Sequence, residues 1–259
     1  MSLLETWVAG EHSADGVSHP TYRKGSGPGV VLIHEIPGLT PEVIGFAEEV
    51  VAAGHTVVLP HLFGKPEAPM SLVPVASVVP RVCVSKEFTT MAVGRTSPIA
   101  GWLRDLARTL HAELGGPGVG ALGMCFTGGF ALAMMTEPSV VAPVLSQPSM
   151  PAVAGSKTRA AGFDASPAEV ACARRRFAEE DLSMIGLRYK SDVLVPDARF
   201  ESYRREFGDR FEAIELEDED AAPAPIPPHS VLTLHLKADG PSKAAEDRVL
   251  EFFKARTGA

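Results

Sequence analysis

The residue with the clearest chemical potential is Cys125, set in "GALGMCFTGGFALAM" where a small, apolar strand-like run meets helix-forming residues. A nucleophile at a sharp strand-to-helix turn projects above its sheet, and the next N–H, here that of Phe126, points to where an oxyanion would form. A thiol suits the task because a free one ionises near pH 8.5, and the thiolate is the nucleophile. The spacing departs from the usual pattern on one side. Gly123 stands two residues before the cysteine, but Thr127 stands two after it, and Gly128 and Gly129 follow. A buried structural cysteine is the competing reading of this segment.

A cysteine nucleophile needs a base, normally histidine, and a group that fixes the base's tautomer. In this kind of sheet they follow the nucleophile in the order acid, then histidine. Asp192 fits the acid, placed after the strand-like "SMIGLRYK" and before Pro196; Asp197 competes but falls in or just before a first helical turn. Two histidines follow the last strand-like run. His229, in a loop, is preferred over His235, which sits inside "VLTLHLK".

The elements that must position these groups alternate between strand and helix, the mark of a mostly parallel sheet covered by helices. "GVVLIH", "HTVVLP", "GVGALG", "VVAPVLSQ", "SMIGLRYKSD" and "FEAIELE" read as strands, the first suited to burial on both faces. Thr40 and Pro41 open a helix expected to run to Gly54, and Ser97 to Leu114 reads as another. Phe126 to Met135 is expected to form the helix after the nucleophile. Ser166-Pro167-Ala168-Glu169 is a capping-box start, the next helix closes at Gly208, and Ser242 to Arg256 forms the last. Arg174, Arg175 and Arg176 read as the outer face of their helix, and Met134 and Met135 as core. Residues 61–96, with several prolines and mixed periodicity, read as an irregular, lid-like excursion. No repeat or long linker divides the chain, so a single α/β domain over 1–259 is expected.

The chain has 259 residues, 45% hydrophobic and 22% charged, with a formal net charge of −8. That balance argues against nucleic acid and anionic membrane partners and leaves a small molecule as the expected one. Three cysteines without CxxC spacing, and an N-terminus without signal-peptide organisation, point to free thiols and a cytoplasmic setting. No apolar run is long enough to span a bilayer. His34-Glu35 is not a zinc motif, because an HExxH site would need histidine where Gly38 stands. No metal, nucleotide or flavin cofactor is indicated, and the oligomeric state is not legible.

Through "HEIPGL", "GMCFTGG", "SDVLVP" and "HSVLT", the chain resembles the dienelactone hydrolase family of α/β-hydrolases, over about residues 29–253. The resemblance implies the α/β-hydrolase fold and a carboxylic ester hydrolase with a Cys125–His229–Asp192 triad. It implies oxyanion donors at the Ile36 and Phe126 N–H groups. It also implies a role for Glu35, whose family counterpart keeps the thiol neutral at rest and then takes its proton. The expected reaction is cleavage of an ester or lactone through a thioester. Family members clamp a substrate carboxylate with arginine, one of them shortly after the histidine; here none follows His229 until Arg248, and Arg81 and Arg95 are the candidate anion-binding residues. Two other functions fit the same residues: a non-catalytic small-molecule binder on this fold, and a redox-sensing thiol.

Overall fold

The apolar runs line up as the parallel heart of one eight-stranded sheet. The computed structural model describes residues 2–71, 78, 88, 97–150 and 156–259. Its strands are β1 (Val8–Ala14), β2 (Val17–Lys24), β3 (Gly29–Ile33), β4 (Thr56–Pro60), β5 (Val119–Met124), β6 (Val140–Ser146), β7 (Met184–Tyr189) and β8 (Phe211–Leu216). Their spatial order is β1-β2-β4-β3-β5-β6-β7-β8. Strands β3 to β8 are parallel, and β2 joins β4 antiparallel. Every residue of β3, β4, β5, β6 and β7 is buried, which explains their unbroken apolar runs: helices cover both faces.

Helices α1 (Pro41–Ala52) and α5 (Gly240–Thr257) close one face, burying Val43, Phe46, Val249 and Phe253 with Val30 and Leu122 of the sheet. On the other face α2 (Pro98–Leu114), α3 (Pro167–Glu179) and α4 (Asp197–Phe207) bury Trp102, Phe177 and Phe200 with Val31, Ala121 and Leu145. The starts of α1 and α3 are fixed as their sequences foretell. Thr40 Oγ1 accepts the Val43 N–H at 3.3 Å, and Ser166 and Glu169 cap each other's N–H groups. No helix among the described residues is long and apolar enough to cross a membrane.

Three local expectations are corrected, and one pair of strands is new. The segment after Cys125 is not one helix but a 3-10 turn (Cys125–Thr127), a short helix (Phe130–Ala133) and a second 3-10 turn (Met134–Thr136). Gly128 and Gly129 mark the break: a Cβ on them would lie 2.5 Å from Pro148 Cα and 2.3 Å from Asp164 Cβ, so this stretch is packed as backbone against its neighbours. Strand β7 stops at Tyr189, and Asp192 lies in the turn beyond it. The N-terminal hairpin β1–β2 has no counterpart in the predicted strands. Finally, Arg176 is buried rather than outward, donating to the carbonyls of Met135, Glu137, Pro138 and Val140 that end the post-cysteine segment. Arg174 and Arg175 do face outward, toward Glu206 and Glu179, and Met134 and Met135 are fully buried.

Of the predicted excursion, residues 61–71 form turns without helix or strand. Val78 and Phe88 are buried in the core. The rest of it, with Cys83, Arg81 and Arg95, lies outside the described residues.

Candidate active site

Ligand crevices in parallel sheets form beyond the C-terminal strand ends, where the strand order reverses. Here that point lies between β3 and β5, whose outgoing loops carry Glu35 and Cys125.

Cys125 follows β5 directly and has φ +53°, a left-handed conformation that a side-chain-bearing residue adopts at a cost. Gly123 is required beneath it, because a Cβ there would meet the Thr127 carbonyl oxygen at 2.1 Å. Thr127, the departure from the glycine pattern, proves to hold the turn. Its hydroxyl accepts the Met124 N–H at 3.0 Å and faces the carbonyl oxygens of Met124, Ile33 and His34 at 3.0, 3.2 and 3.1 Å. The Phe126 ring packs edge-on against Phe63, Phe88 and Phe130, an apolar wall beside Cys125.

Asp192 and His229 meet as their order in the chain implies. His229 Nδ1 donates to Asp192 Oδ2 at 2.6 Å, and Asp192 Oδ1 accepts the Leu194 N–H at 2.9 Å. With Nδ1–H given to the carboxylate, Nε2 is the ring nitrogen left over; it is buried and makes no hydrogen bond to a described residue. Burial opposes a charge on this ring, but the Cys125 sulfur and the Asp192 carboxylate outweigh it and hold the imidazole well above its ordinary value. One donor atom each from Glu35, Cys125 and His229 lies within 4.8 Å of the others. These are also the side chains among the described residues that could share a metal ion.

The competing candidates have other occupations. Asp197 is 74 % exposed and pairs with Arg188. His235 Nδ1 accepts the N–H of Ser230 at 3.1 Å and that of His229 at 3.4 Å, so its Nε2 carries the proton and donates to the Ile226 carbonyl at 3.2 Å. Burial lowers the His235 pKa, keeping the ring neutral. It therefore shapes the loop that presents His229.

Glu35 is 1 % exposed, no surface carboxylate. It accepts hydrogen bonds from Thr233 Oγ1 at 2.5 Å, Ser230 Oγ at 2.7 Å and Gln147 Nε2 at 3.3 Å. Burial pushes its carboxyl above the usual range against the pull of these donors and of His229. Its neighbour His34 turns the other way: Nδ1 bonds the Glu35 carbonyl at 3.0 Å, Nε2 accepts the Leu62 N–H at 3.1 Å, and burial lowers its pKa to about 3. Among the described residues the Ile36 N–H bonds to no backbone carbonyl. The Phe126 N–H lies in the first turn of a helical segment, where donors have no intrahelical acceptor.

Sequence reasoning singled out neither Ser149 nor the side chains that hold Glu35, namely Ser230, Thr233 and Gln147. Ser149, three residues past β6, has Oγ 3.2 Å from Cys125 Sγ, and its N–H donates to the Cys125 carbonyl at 2.9 Å. Ser149, the second of two serines in "SQPSMP", carries no local signal of this contact.

Among solved structures, m3DLH is similar over 97% of this chain and 98% of its own, with 18% identity and a TM-score of 0.63. The dienelactone hydrolase-like promiscuous phosphotriesterase P91 from metagenomic libraries aligns over 97% and 98%, at 16% identity and a TM-score of 0.61. The Pyrococcus furiosus esterase Pf2001 aligns over 99% and 95%, at 13% identity and a TM-score of 0.60. Likeness at such identities shows the shared α/β-hydrolase fold. No curated protein matches the chain. The model of the dienelactone hydrolase family, however, matches residues 17–155, over half of the 259. With that match, an α/β-hydrolase sheet and a cysteine turn at its switch point, the chain belongs to the dienelactone hydrolase family.

Proposed function

We propose that this hydrolase cleaves a small carboxylic ester or lactone through a thioester on Cys125. The observation that carries the reading is the pairing of His229 with Asp192 at 2.6 Å while its other, unpartnered nitrogen is left beside Cys125.

Glu35 takes the thiol proton, a role suited to a carboxyl that burial inclines toward protonation. The thiolate attacks the carbonyl carbon, and the N–H groups of Ile36 and Phe126 receive the oxyanion. His229, held charged by its neighbours, protonates the departing alcohol, leaving an acyl-enzyme and a neutral ring. That ring then takes a proton from water, whose oxygen attacks the thioester. The sulfur departs as thiolate and recovers its proton from Glu35. Asp192 holds the histidine in the productive tautomer throughout.

A short-chain p-nitrophenyl ester tests this reading, with and without prior alkylation by iodoacetamide. Turnover abolished by alkylation and by Cys125→Ala supports the cysteine hydrolase. Undiminished turnover in Cys125→Ala removes it. A ligand-induced thermal shift without turnover would favour a binder, and reversible oxidation of Cys125 without turnover a redox sensor.

A further inference from the structure

We infer that Ser149 is a positioning residue for the nucleophile, its hydroxyl donating to the Cys125 sulfur and steadying the thiolate. The inference rests on the cysteine-hydrolase reading above and adds to it a group outside the triad.

Three observations carry it. The first is the contact itself, Oγ to Sγ at 3.2 Å, with Sγ the sole hydrogen-bond partner of this hydroxyl among the described residues. A serine O–H needs an acceptor, and a thiolate accepts far better than a thiol donates, so the bond favours the charged sulfur.

The second is that the hydroxyl is held rather than free to drift. The Ser149 N–H is tied to the Cys125 carbonyl at 2.9 Å. Pro148 packs against Gly128, and its carbonyl accepts from Nη1 of the fully buried Arg199 at 3.2 Å. Gln147, at φ +33°, donates its N–H to the Leu187 carbonyl at 2.7 Å, and its side-chain oxygen accepts the Val231 N–H at 3.2 Å. The turn after β6 is thus fixed to the nucleophile, to β7 and to the histidine loop at once.

The third is what the neighbouring carboxylate does. Each oxygen of Glu35 already accepts a hydroxyl, from Thr233 and from Ser230, and neither makes a hydrogen bond to Sγ. Once Glu35 has taken the thiol proton, the described hydroxyl in contact with the sulfur is that of Ser149. The same bond is available when the sulfur leaves the thioester in the second half-reaction. No proton is transferred through Ser149; it keeps its own.

Ser149→Ala and Ser149→Thr test this, read by iodoacetamide alkylation of Cys125 across pH and by kinetics on a p-nitrophenyl ester. In Ser149→Ala the pH at which alkylation reaches half its plateau rises by about one unit, the equivalent of a tenfold change in equilibrium. The value of kcat falls about tenfold, KM stays within about twofold, and Ser149→Thr returns both readouts toward wild type. An alkylation profile unmoved in Ser149→Ala overturns the inference, as does a Thr variant shifted as far as Ala at an unchanged melting temperature. The alkylation arm needs no turnover, so its failure is distinct from failure of the hydrolase reading.

Discussion

The hydroxyl of Thr127 lies 3.1 Å from the carbonyl oxygen of His34, tying the nucleophile's turn to the strand end that carries Glu35. A glycine at this position, as the usual elbow pattern has, would leave the Met124 N–H and three carbonyls without this partner. Thr127→Gly is therefore predicted to lower stability by about 1–3 kcal/mol, read as a lower melting temperature, and to reduce kcat with it. Thr127→Ser, which keeps the hydroxyl, stays close to wild type. A stable, fully active glycine variant would show that the hydroxyl is dispensable.

Replacing the two candidate acids separates them. Asp192→Asn removes the acceptor that fixes His229 and favours the wrong tautomer, so kcat falls by about 10³–10⁴-fold. Asp197→Asn removes an exposed carboxylate from the buried Arg188, which keeps its pairing with Glu215, and leaves kcat within about twofold. Steady-state kinetics on both variants checks the assignment, and equal losses would contradict it.

His235 should act through the loop and not through chemistry. His235→Ala strands the buried N–H of Ser230, at a cost of about 1–3 kcal/mol, and lets His229 wander. The predicted loss in kcat is about 10–100-fold, smaller than for His229→Ala. Partial recovery in His235→Asn, whose amide oxygen can replace the ring acceptor, marks the positional role. Loss equal to that of His229→Ala would contradict it.

Acid stability reports two buried groups of opposite sign. His34 is neutral when folded, with a pKa lowered from 6.5 to about 3, so the unfolded chain binds its proton first. Its contribution is present above pH 6.5 and is lost as pH falls toward 3, by up to about 1.4 kcal/mol per pH unit. Asp164 is raised by burial from 3.8 to about 6, against the nearby Arg199. The folded state holds that proton, so Asp164 costs stability as pH rises from about 4 to 6. Between those limits the two slopes oppose each other. Urea titrations of Asp164→Asn should therefore show a steeper loss on acidification than wild type. An unchanged slope would mean that Asp164 is ionised in the fold.

Much of the scaffold could be read directly because fully buried parallel strands write unbroken apolar runs, as β3 and β4 do. The caps at Thr40 and Ser166 are equally local, each set by residues within one turn. The β1–β2 hairpin is not legible because its residues are largely exposed or half-buried at the sheet edge, and Pro20 breaks the strand-like sequence pattern although β2 runs straight through it. The turn signal was nonetheless present in Asp15-Gly16, both at positive φ. At the site, Cys125, Asp192 and His229 were legible because side-chain type and chain order constrain them. Ser149 and His235 were not, since their roles depend on contacts 24 and 5 or 6 residues away in the chain that no local pattern encodes.

Rapid-quench mass spectrometry with a short-chain ester bears most directly on the sulfur as nucleophile. The account predicts a transient acyl mass increment that maps to the peptide containing Cys125, persists longer in His229→Ala, and is absent from Cys125→Ala. Steady turnover with no increment on that peptide, or an acyl group mapped to another residue, would contradict it.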